Sequence, residues 1–410
     1  MSQDEPGRSL PSRPASGDAS ALNQGGMRSQ NLSVVLGQVR ARGPVSRAQL
    51  AASTGLTKPG ITKLVADLVA RGLVRDGDTV PAPGRGRPSV MVHVDGSALA
   101  FVAAELNVRT LRVRLLDFAG RELLRDDASF AGSASPRAVL RSLVQMLDHA
   151  IDAEPARGRR VAGVGLAVAG LVGTGSGRLV TAPGLGWRDV DVVGVVAEAL
   201  QRREVPFLVD NVARLGALAE ARLTGLDDAR SIVRIEAATG IGAGIVLQGE
   251  LEPGVAGYAG AIGHITVTGR GPRCLCGRIG CLEAMAGIPA LVRAAAPDLA
   301  DGTSRRRPTP AQQVQEVARR VDGGDRQAVQ GVRRTATWLG RGVATVVSLL
   351  DPEHVVLGGY PVLLRDVVLP VVEAEVDAHV VAPDRGGTQL RTSALGDEAA
   401  LLGAAEACRR

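Results

Sequence analysis

Between His264 and Glu283 the chain reads His-Ile-Thr-Val-Thr-Gly-Arg-Gly-Pro-Arg-Cys-Leu-Cys-Gly-Arg-Ile-Gly-Cys-Leu-Glu, which gathers three of its four cysteines beside a histidine. Composition and spacing mark this as a metal site. Cys274, Cys276 and Cys281 can supply three thiolates and His264 one imidazole nitrogen, and Zn²⁺ with four such ligands closes a tetrahedral structural site with no open position for catalysis. The alternative is three unligated buried thiols. Gly277 and Gly280 favour the metal, because converging ligands require tight turns that glycine makes without a side-chain clash.

A chain of 410 residues is long enough for two or three domains with sizeable cores. Cys408 stands apart from the cluster, and an odd thiol beside a metal site argues against a disulfide-stapled, secreted protein. The longest apolar stretch, 161–172, is too short for a bilayer and is broken by Gly163, Gly165 and Gly170. A signal peptide would need an apolar core where residues 1–27 are acidic and rich in Pro and Ser. The expectation is a cytoplasmic protein with no membrane segment.

Charge is concentrated in one segment. Residues 28–94 carry ten basic and three acidic side chains, +7 of a whole-chain +6, whereas 1–27 contribute −1 and 95–410 balance exactly to zero. Such a basic module on a balanced protein is the electrostatic footprint of a nucleic-acid binder, since neutralisation of phosphates dominates that affinity. Its pattern agrees. Leu32, Val35, Leu36 and Val39 recur at helical spacing up to Gly43-Pro44, and Ser46 with Gln49 forms a capping box for a second helix. After a turn at Gly55, Thr57 caps a third helix with the stripe Ile61, Leu64, Val65, Leu68, Val69, ending at Gly72. This is a helix-turn-helix. Its third helix offers Thr57, Lys58, Gly60, Thr62 and Lys63 to a major groove of double-stranded DNA.

The segments 73–75 and 90–94 predict a two-stranded wing around Gly84-Arg85-Gly86-Arg87-Pro88, and arginines in an extended Gly/Pro frame suit a narrow minor groove. Arg85 and Arg87 are therefore further candidate DNA contacts. Residues 1–27, with few large apolar side chains, are expected to be a disordered tail. From 96 to 410 the pattern is α/β and repeats itself: apolar runs at 99–106 and 111–116, a helix at 136–153 and a strand at 161–169 are answered by runs at 231–236 and 243–247, helices at 288–295, 310–321 and 328–350, and a strand at 355–357. Two such units imply two lobes with a cleft between them, where ligands bind.

The run Cys-Leu-Cys-Gly-Arg-Ile-Gly-Cys-Leu-Glu after Gly-His, preceded by Ala-Thr-Gly-Ile-Gly-Ala-Gly and followed by Val-Leu-Gly-Gly, resembles the ROK family of repressors, open reading frames and sugar kinases. The resemblance implies a winged helix-turn-helix (α+β) at 28–94, followed at 96–410 by an α/β, actin-like (ribonuclease H-like), two-lobed domain for effector binding and dimerisation. By the same resemblance, Asn211, His264 and Glu283 match positions that hydrogen-bond sugar hydroxyls. The family usually has Glu three residues before the zinc histidine, where this chain has Ala261.

A sugar kinase needs a carboxylate to take the attacking hydroxyl's proton and a loop to hold phosphates. The family's kinases place that aspartate in Asn-Asp-Ala-Asn at the start of a helix ending in Glu. Counting back from Glu220 puts Val212 there, and valine accepts no proton. Sliding the register to Asp210 would move Asn211 from its sugar-binding place. The family's Asp-Ile-Gly-Gly-Thr-Lys is replaced by Glu105-Leu106-Asn107-Val108-Arg109-Thr110, which lacks the glycines that admit phosphate to backbone amides. The expectation is a non-enzymatic, dimeric DNA-binding regulator, a repressor, that senses a sugar or sugar derivative. The competing readings are an active ATP-dependent sugar kinase and a ligand-independent DNA-binding protein.

Overall fold

Local capping rules set the first elements of the chain, seen in a computed structural model that describes residues 24–80, 88–132, 134–153, 158–173, 178–201, 203–300 and 308–409. The Ser46 hydroxyl accepts from the Gln49 amide while the Gln49 side chain accepts from the Ser46 amide, so α2 (Arg47–Thr54) opens on a complete capping box. Gly55 ends it in the left-handed region at φ 70°, and Thr57 caps α3 (Lys58–Ala70) by accepting from Gly60 N. The strands β1 (Val45–Ser46), β2 (Val74–Val80) and β3 (Ser89–Val94) form a small antiparallel sheet in the order β1-β3-β2. Leu50, Ile61, Val65, Leu68 and Val92 close the core beneath it.

The first helix, α1 (Gln24–Arg42), starts four residues inside the tail expected to be disordered, which corrects that boundary. Docking, more than propensity, holds it: Val35 and Val39 are fully buried, and Arg28 donates two hydrogen bonds to Asp67 of α3. Residues 1–23 of the expected tail lie outside the described residues, as do Arg85 and Arg87.

Beyond Val94 the chain builds two five-stranded sheets of the same topology. In the first lobe, β4 (Leu99–Leu106), β5 (Thr110–Asp117) and β6 (Glu122–Ser129) run as an antiparallel meander, and β7 (Arg160–Val168) and β11 (Phe207–Asn211) add in parallel beside β4, giving the order β11-β7-β4-β5-β6. The helices α4 (Pro136–Ala153) and α5 (Val192–Gln201) cover one face. Between them the chain makes a small sheet of β8 (Leu171–Val172), β9 (Leu179–Ala182) and β10 (Trp187–Val190).

The second lobe repeats the plan. The strands β12 (Ser231–Ala237), β13 (Ile241–Leu247) and β14 (Glu250–Leu251) form its meander, and β15 (His354–Gly359) and β16 (Gln389–Thr392) join in parallel, in the order β14-β13-β12-β15-β16. Helices α7 (Leu282–Ala286), α8 (Ile288–Ala295), α9 (Pro297–Ala300), α10 (Pro310–Asp322), α11 (Arg326–Leu350), α12 (Tyr360–Leu363) and α13 (Arg365–His379) follow from its hairpin and its fourth strand. The tandem α/β units expected from the sequence are thus two copies of one sheet.

Two helices lie at the junction of the lobes. The helix α6 (Val212–Leu223) continues from β11 and packs on both β12 and β13, and the last helix, α14 (Ala399–Cys408), packs on α6, β4 and β7. Their approach is close enough to demand glycine: a Cβ on Gly403 would lie 1.8 Å from Leu215 O, and one on Gly165 would lie 2.2 Å from Ala404 O. Among the described residues no helix is long and apolar enough to cross a membrane.

Candidate functional site

The start of α3 presents the residues expected to read DNA. Thr57, Lys58, Thr62 and Lys63 are exposed and Gly60 is half-buried, while Ile61, Leu64, Val65 and Leu68 face the core. Two of the hydroxyls already have local duties, since Thr57 caps the helix and Thr62 Oγ1 donates to Lys58 O at 3.0 Å. Lys58 and Lys63 are left as the cationic pair on this face.

The four candidate ligands of the sequence reading, His264, Cys274, Cys276 and Cys281, come together in one cluster that could hold a metal ion. Gly277 N donates to Cys274 O and Cys274 N to Arg278 O, both at 2.8 Å, closing a tight turn, with Gly277 and Gly280 at φ 93° and 73°. The ligand atoms of His264, Cys274, Cys276 and Cys281 all lie within 4.8 Å of one another. Cys276 and Cys281 sulfurs are 3.7 Å apart, as are Cys274 Sγ and His264 Nδ1. A tetrahedral ion with Zn–S bonds of ~2.3 Å sets an edge of ~3.8 Å, which the two 3.7 Å pairs match, so the chemistry and spacing of this donor set suit a zinc-like ion. Burial pushes the Cys274 thiol up to about 12 and the Cys281 thiol upward, whereas hydrogen bonds from Arg278 and the two other thiols overcome burial and bring Cys276 down to about 6.

From this cluster the structure leads directly into the cleft between the lobes, a cavity of about 880 Å³. Asn211, Val212, Ala261, His264 and Glu283 line it together with Thr239, Gly240, Gly359 and Tyr360. The three residues matched to sugar positions are therefore brought together. Two of them also have structural work: Asn211 Oδ1 accepts from Ala213 N and Arg214 N as the cap of α6, its Nδ2 donates to Gly170 O at 2.7 Å, and Glu283 Oε2 accepts from Ile241 N at 3.0 Å. That last bond ties the segment after Cys281 to the glycine-rich turn between β12 and β13.

Val212 opens α6 on the cleft, but Asp210 does not line it. Asp210 is 4% exposed, accepts from the Asn211 amide at 2.6 Å, and pairs with Arg214 at 3.1 Å. Burial pushes its carboxyl above the usual carboxylate range, against the pull of Arg214.

The second feature missed by sequence reasoning is a charged lattice where β4 and β5 meet the cleft. Glu105, 2% exposed, accepts from Asn107 Nδ2 at 2.6 Å and is paired with Arg112, which also donates to Asp397 O and lies 3.5 Å from Glu398. Across from it Arg234, 1% exposed, pairs with Glu236. The signal was present: Arg112 and Arg114 interrupt an apolar strand, and arginines buried there must find acids. The glycines of this end serve packing. A Cβ on Gly358 would meet Arg234 Nη2 at 2.3 Å, and Gly359, at φ 78°, has Ala237 O 2.1 Å from the same position.

Known proteins agree with this architecture. The xylose repressor of Bacillus subtilis is 28% identical over 91% of this chain and 93% of its own. The DNA-binding transcriptional dual regulator NagC of Escherichia coli is 25% identical over 94% of each. Among solved structures, a ROK family transcriptional regulator homologous to the E. coli MLC protein superposes with a TM-score of 0.74 at 24% identity, covering 93% of this chain and 97% of that one. A ROK family glucokinase from Streptomyces griseus, in complex with glucose and AMPPNP, gives 0.62 at 26% identity over 75% and 98%. The MarR family model matches residues 33–87 and the ROK family model residues 108–410. With most of its length so matched, the chain belongs to the ROK family.

Proposed function

We propose that this protein is a sugar-sensing, DNA-binding transcriptional repressor whose two-lobed domain no longer transfers phosphate. The observation that carries the reading is the pairing of an exposed Lys58/Lys63 helix start with a cleft in which Val212 stands at the opening of α6 and the acid two residues before it, Asp210, is buried in an ion pair with Arg214. Residues 28–94 form the reading head and 96–410 the sensing and dimerising part. The relatives named as xylose repressor and as NagC support the regulatory role.

In this reading Lys58 and Lys63 neutralise phosphates, Thr57, Gly60 and Thr62 let α3 approach the base edges, and Arg85 and Arg87 of the wing enter the minor groove. Zn²⁺ held by His264, Cys274, Cys276 and Cys281 is structural: it fixes the loop that brings His264 and Glu283 to the sugar. Asn211, His264 and Glu283 meet the hydroxyls. A sugar that binds one arrangement of the lobes better than the other shifts the population and alters the spacing of paired reading heads in a homodimer, lowering operator affinity by no more than its differential binding.

A ligand-independent DNA-binding role is favoured by one observation, that Asn211 and Glu283 already spend hydrogen-bonding capacity within the protein. One experiment separates the readings. Sequences selected from genomic DNA are bound to the full chain and challenged with a panel of sugars; release by at least one supports the sensor, and retention against all of them supports the alternative. ATP consumption with any of these sugars, lost in Asp210→Ala, would overturn the non-enzymatic reading.

A further inference from the structure

The chain crosses between the lobes twice, and each crossing is pinned on both sides. At the first, Asn211 Nδ2 donates to Gly170 O of the first lobe, while its Oδ1 accepts from Ala213 N and Arg214 N at the start of α6, the helix packed on β12 and β13 of the second. At the second, residues 393–398 lead from β16 into α14, which packs back on β4 and β7. Ser393 N donates to Leu357 O of β15 at 2.8 Å, its hydroxyl donates to the buried Glu220 of α6, and Gly396 N donates to Ser393 Oγ at 3.0 Å. Up to the Gly396 nitrogen the segment is therefore held by the second lobe.

Beyond that nitrogen the partners change. Asp397 O accepts from Arg112 Nη2 at 2.6 Å, and the Glu398 carboxylate lies 3.5 Å from Arg112, 3.4 Å from Arg114 and 4.0 Å from Arg125, all on β5 and β6 of the first lobe. Arg112 is itself held by the buried Glu105 of β4. One residue lies between the two sets of anchors. Gly396 stands at φ 54°, where L side chains are strained, yet a Cβ built on it would meet no atom outside its chain neighbours within 4 Å. Conformation, and no close approach, is what calls for glycine here.

We propose that Gly396 is the pivot between the two lobes, with Asn211 the fixed point at the other crossing, and that the lattice of Arg112, Arg114, Arg125 and Glu398 clamps this pivot to the first lobe. This rests on the reading of the cleft as an effector site whose occupation changes the lobe arrangement. Hinges are a few loop or element-terminal residues that absorb a φ/ψ change while packed elements move as bodies. Gly396 meets that description: rotation about its N–Cα bond redirects Asp397 and Glu398 while the Ser393 bonds on one side and the arginines on the other stay intact. Asn211, Gly396 and Asp397 all line the cavity, so a ligand there bears on both crossings and can favour one angle over another.

The test uses the full-length protein with nitroxides on ketone-bearing unnatural residues in place of Arg141 on α4 and Arg333 on α11, both exposed and one in each lobe, which spares the four cysteines. Diluted with unlabelled chain, it gives the inter-lobe distance by double electron-electron resonance, with and without xylose, glucose and N-acetylglucosamine. Asparagine tolerates the left-handed region and valine does not. Gly396→Asn should therefore keep the wild-type distance and Gly396→Val should shift it by several ångströms in sugar-free protein, while both variants melt cooperatively. Should Gly396→Val fail to fold, Gly396→Ala poses the same conflict with a smaller side chain. A wild-type distance in the valine variant overturns the proposal, as does an equal shift in the asparagine variant. If a sugar releases DNA while the wild-type distance stays fixed, the sensor reading stands and this inference falls; if Gly396→Val shifts the distance and no sugar releases DNA from the wild type, the pivot stands and the sensor reading falls.

Discussion

Cys281 is fully buried and its sulfur stands 3.7 Å from that of Cys276, so if the cluster holds a metal, a serine there removes one of its four ligands. Binding energy of a structural metal is folding energy. Cys281→Ser, or metal stripping of the wild type, should lower stability by a few kcal/mol, on the order of other losses of a metal site. Differential scanning calorimetry with metal analysis checks this; unchanged melting and no bound metal would reject a structural ion. The cluster was legible from sequence because its ligands are local, within eighteen residues from His264 to Cys281. The Asp210–Arg214 pair was not. Its spacing of four looks like any surface helix pair, and only the burial of both side chains, 4% exposed each, separates it from one.

At the scale of elements, α3 was readable because Ile61, Leu64, Val65 and Leu68 make one buried stripe and its cap obeys a local rule, although Val69, also expected in that stripe, is 40% exposed. Lys63 stands on the opposite, exposed face. If it contacts phosphate, Lys63→Ala should weaken binding by a similar factor on every sequence and lower the slope of log affinity against log salt by about one, measured by fluorescence anisotropy at several ionic strengths; a change confined to one operator position would mean base contact. Other elements escaped the reading for physical reasons. The strand β6 is an edge strand with charged Glu122, Arg125, Asp126 and Asp127, and α13 contains Pro370, so neither shows a clean period. The final helix α14 is rich in alanine and almost wholly buried, which blurs any stripe. Its packing is nonetheless tight. Gly403→Ala would drive a methyl into Leu215 O of α6 and should cost about 1–3 kcal/mol in chemical denaturation; a neutral result would show that the two helices can separate freely.

Over the whole molecule, α14 reaches from the cleft to the DNA-binding part. Asp397 and Ala400 line the cavity at its start, and near its end Glu406 pairs with Arg40 of α1 and with Arg409. Arg409 Nη2 donates to Asp117 O at 3.0 Å, and the two guanidinium groups lie over Phe118 and Phe101 at 5.8 and 5.6 Å. A buried carboxylate between two arginines ties α1 to α14, and if the lobes move on binding a sugar, this is the contact through which the motion would reach α1. Burial works to raise the Glu406 pKa, but Arg409 and Arg40 outweigh it and hold the carboxyl below its ordinary value. A lowered folded-state pKa means that the unfolded chain takes up protons first, so the joint contributes fully above the unfolded Glu range of ~4.3 and is lost as pH falls through the lower folded value. Glu406→Gln leaves Arg40 and Arg409 facing each other without a carboxylate. It should cost about 3 kcal/mol, the lower end for breaking a buried pair, flatten the acid limb of the stability curve below about pH 4.3, and reduce effector-induced release of DNA while leaving sugar affinity intact. Urea titrations from pH 3 to 7 beside sugar-release assays read all three. A variant that keeps both the wild-type acid limb and full release would show that the two parts of the chain communicate by another route.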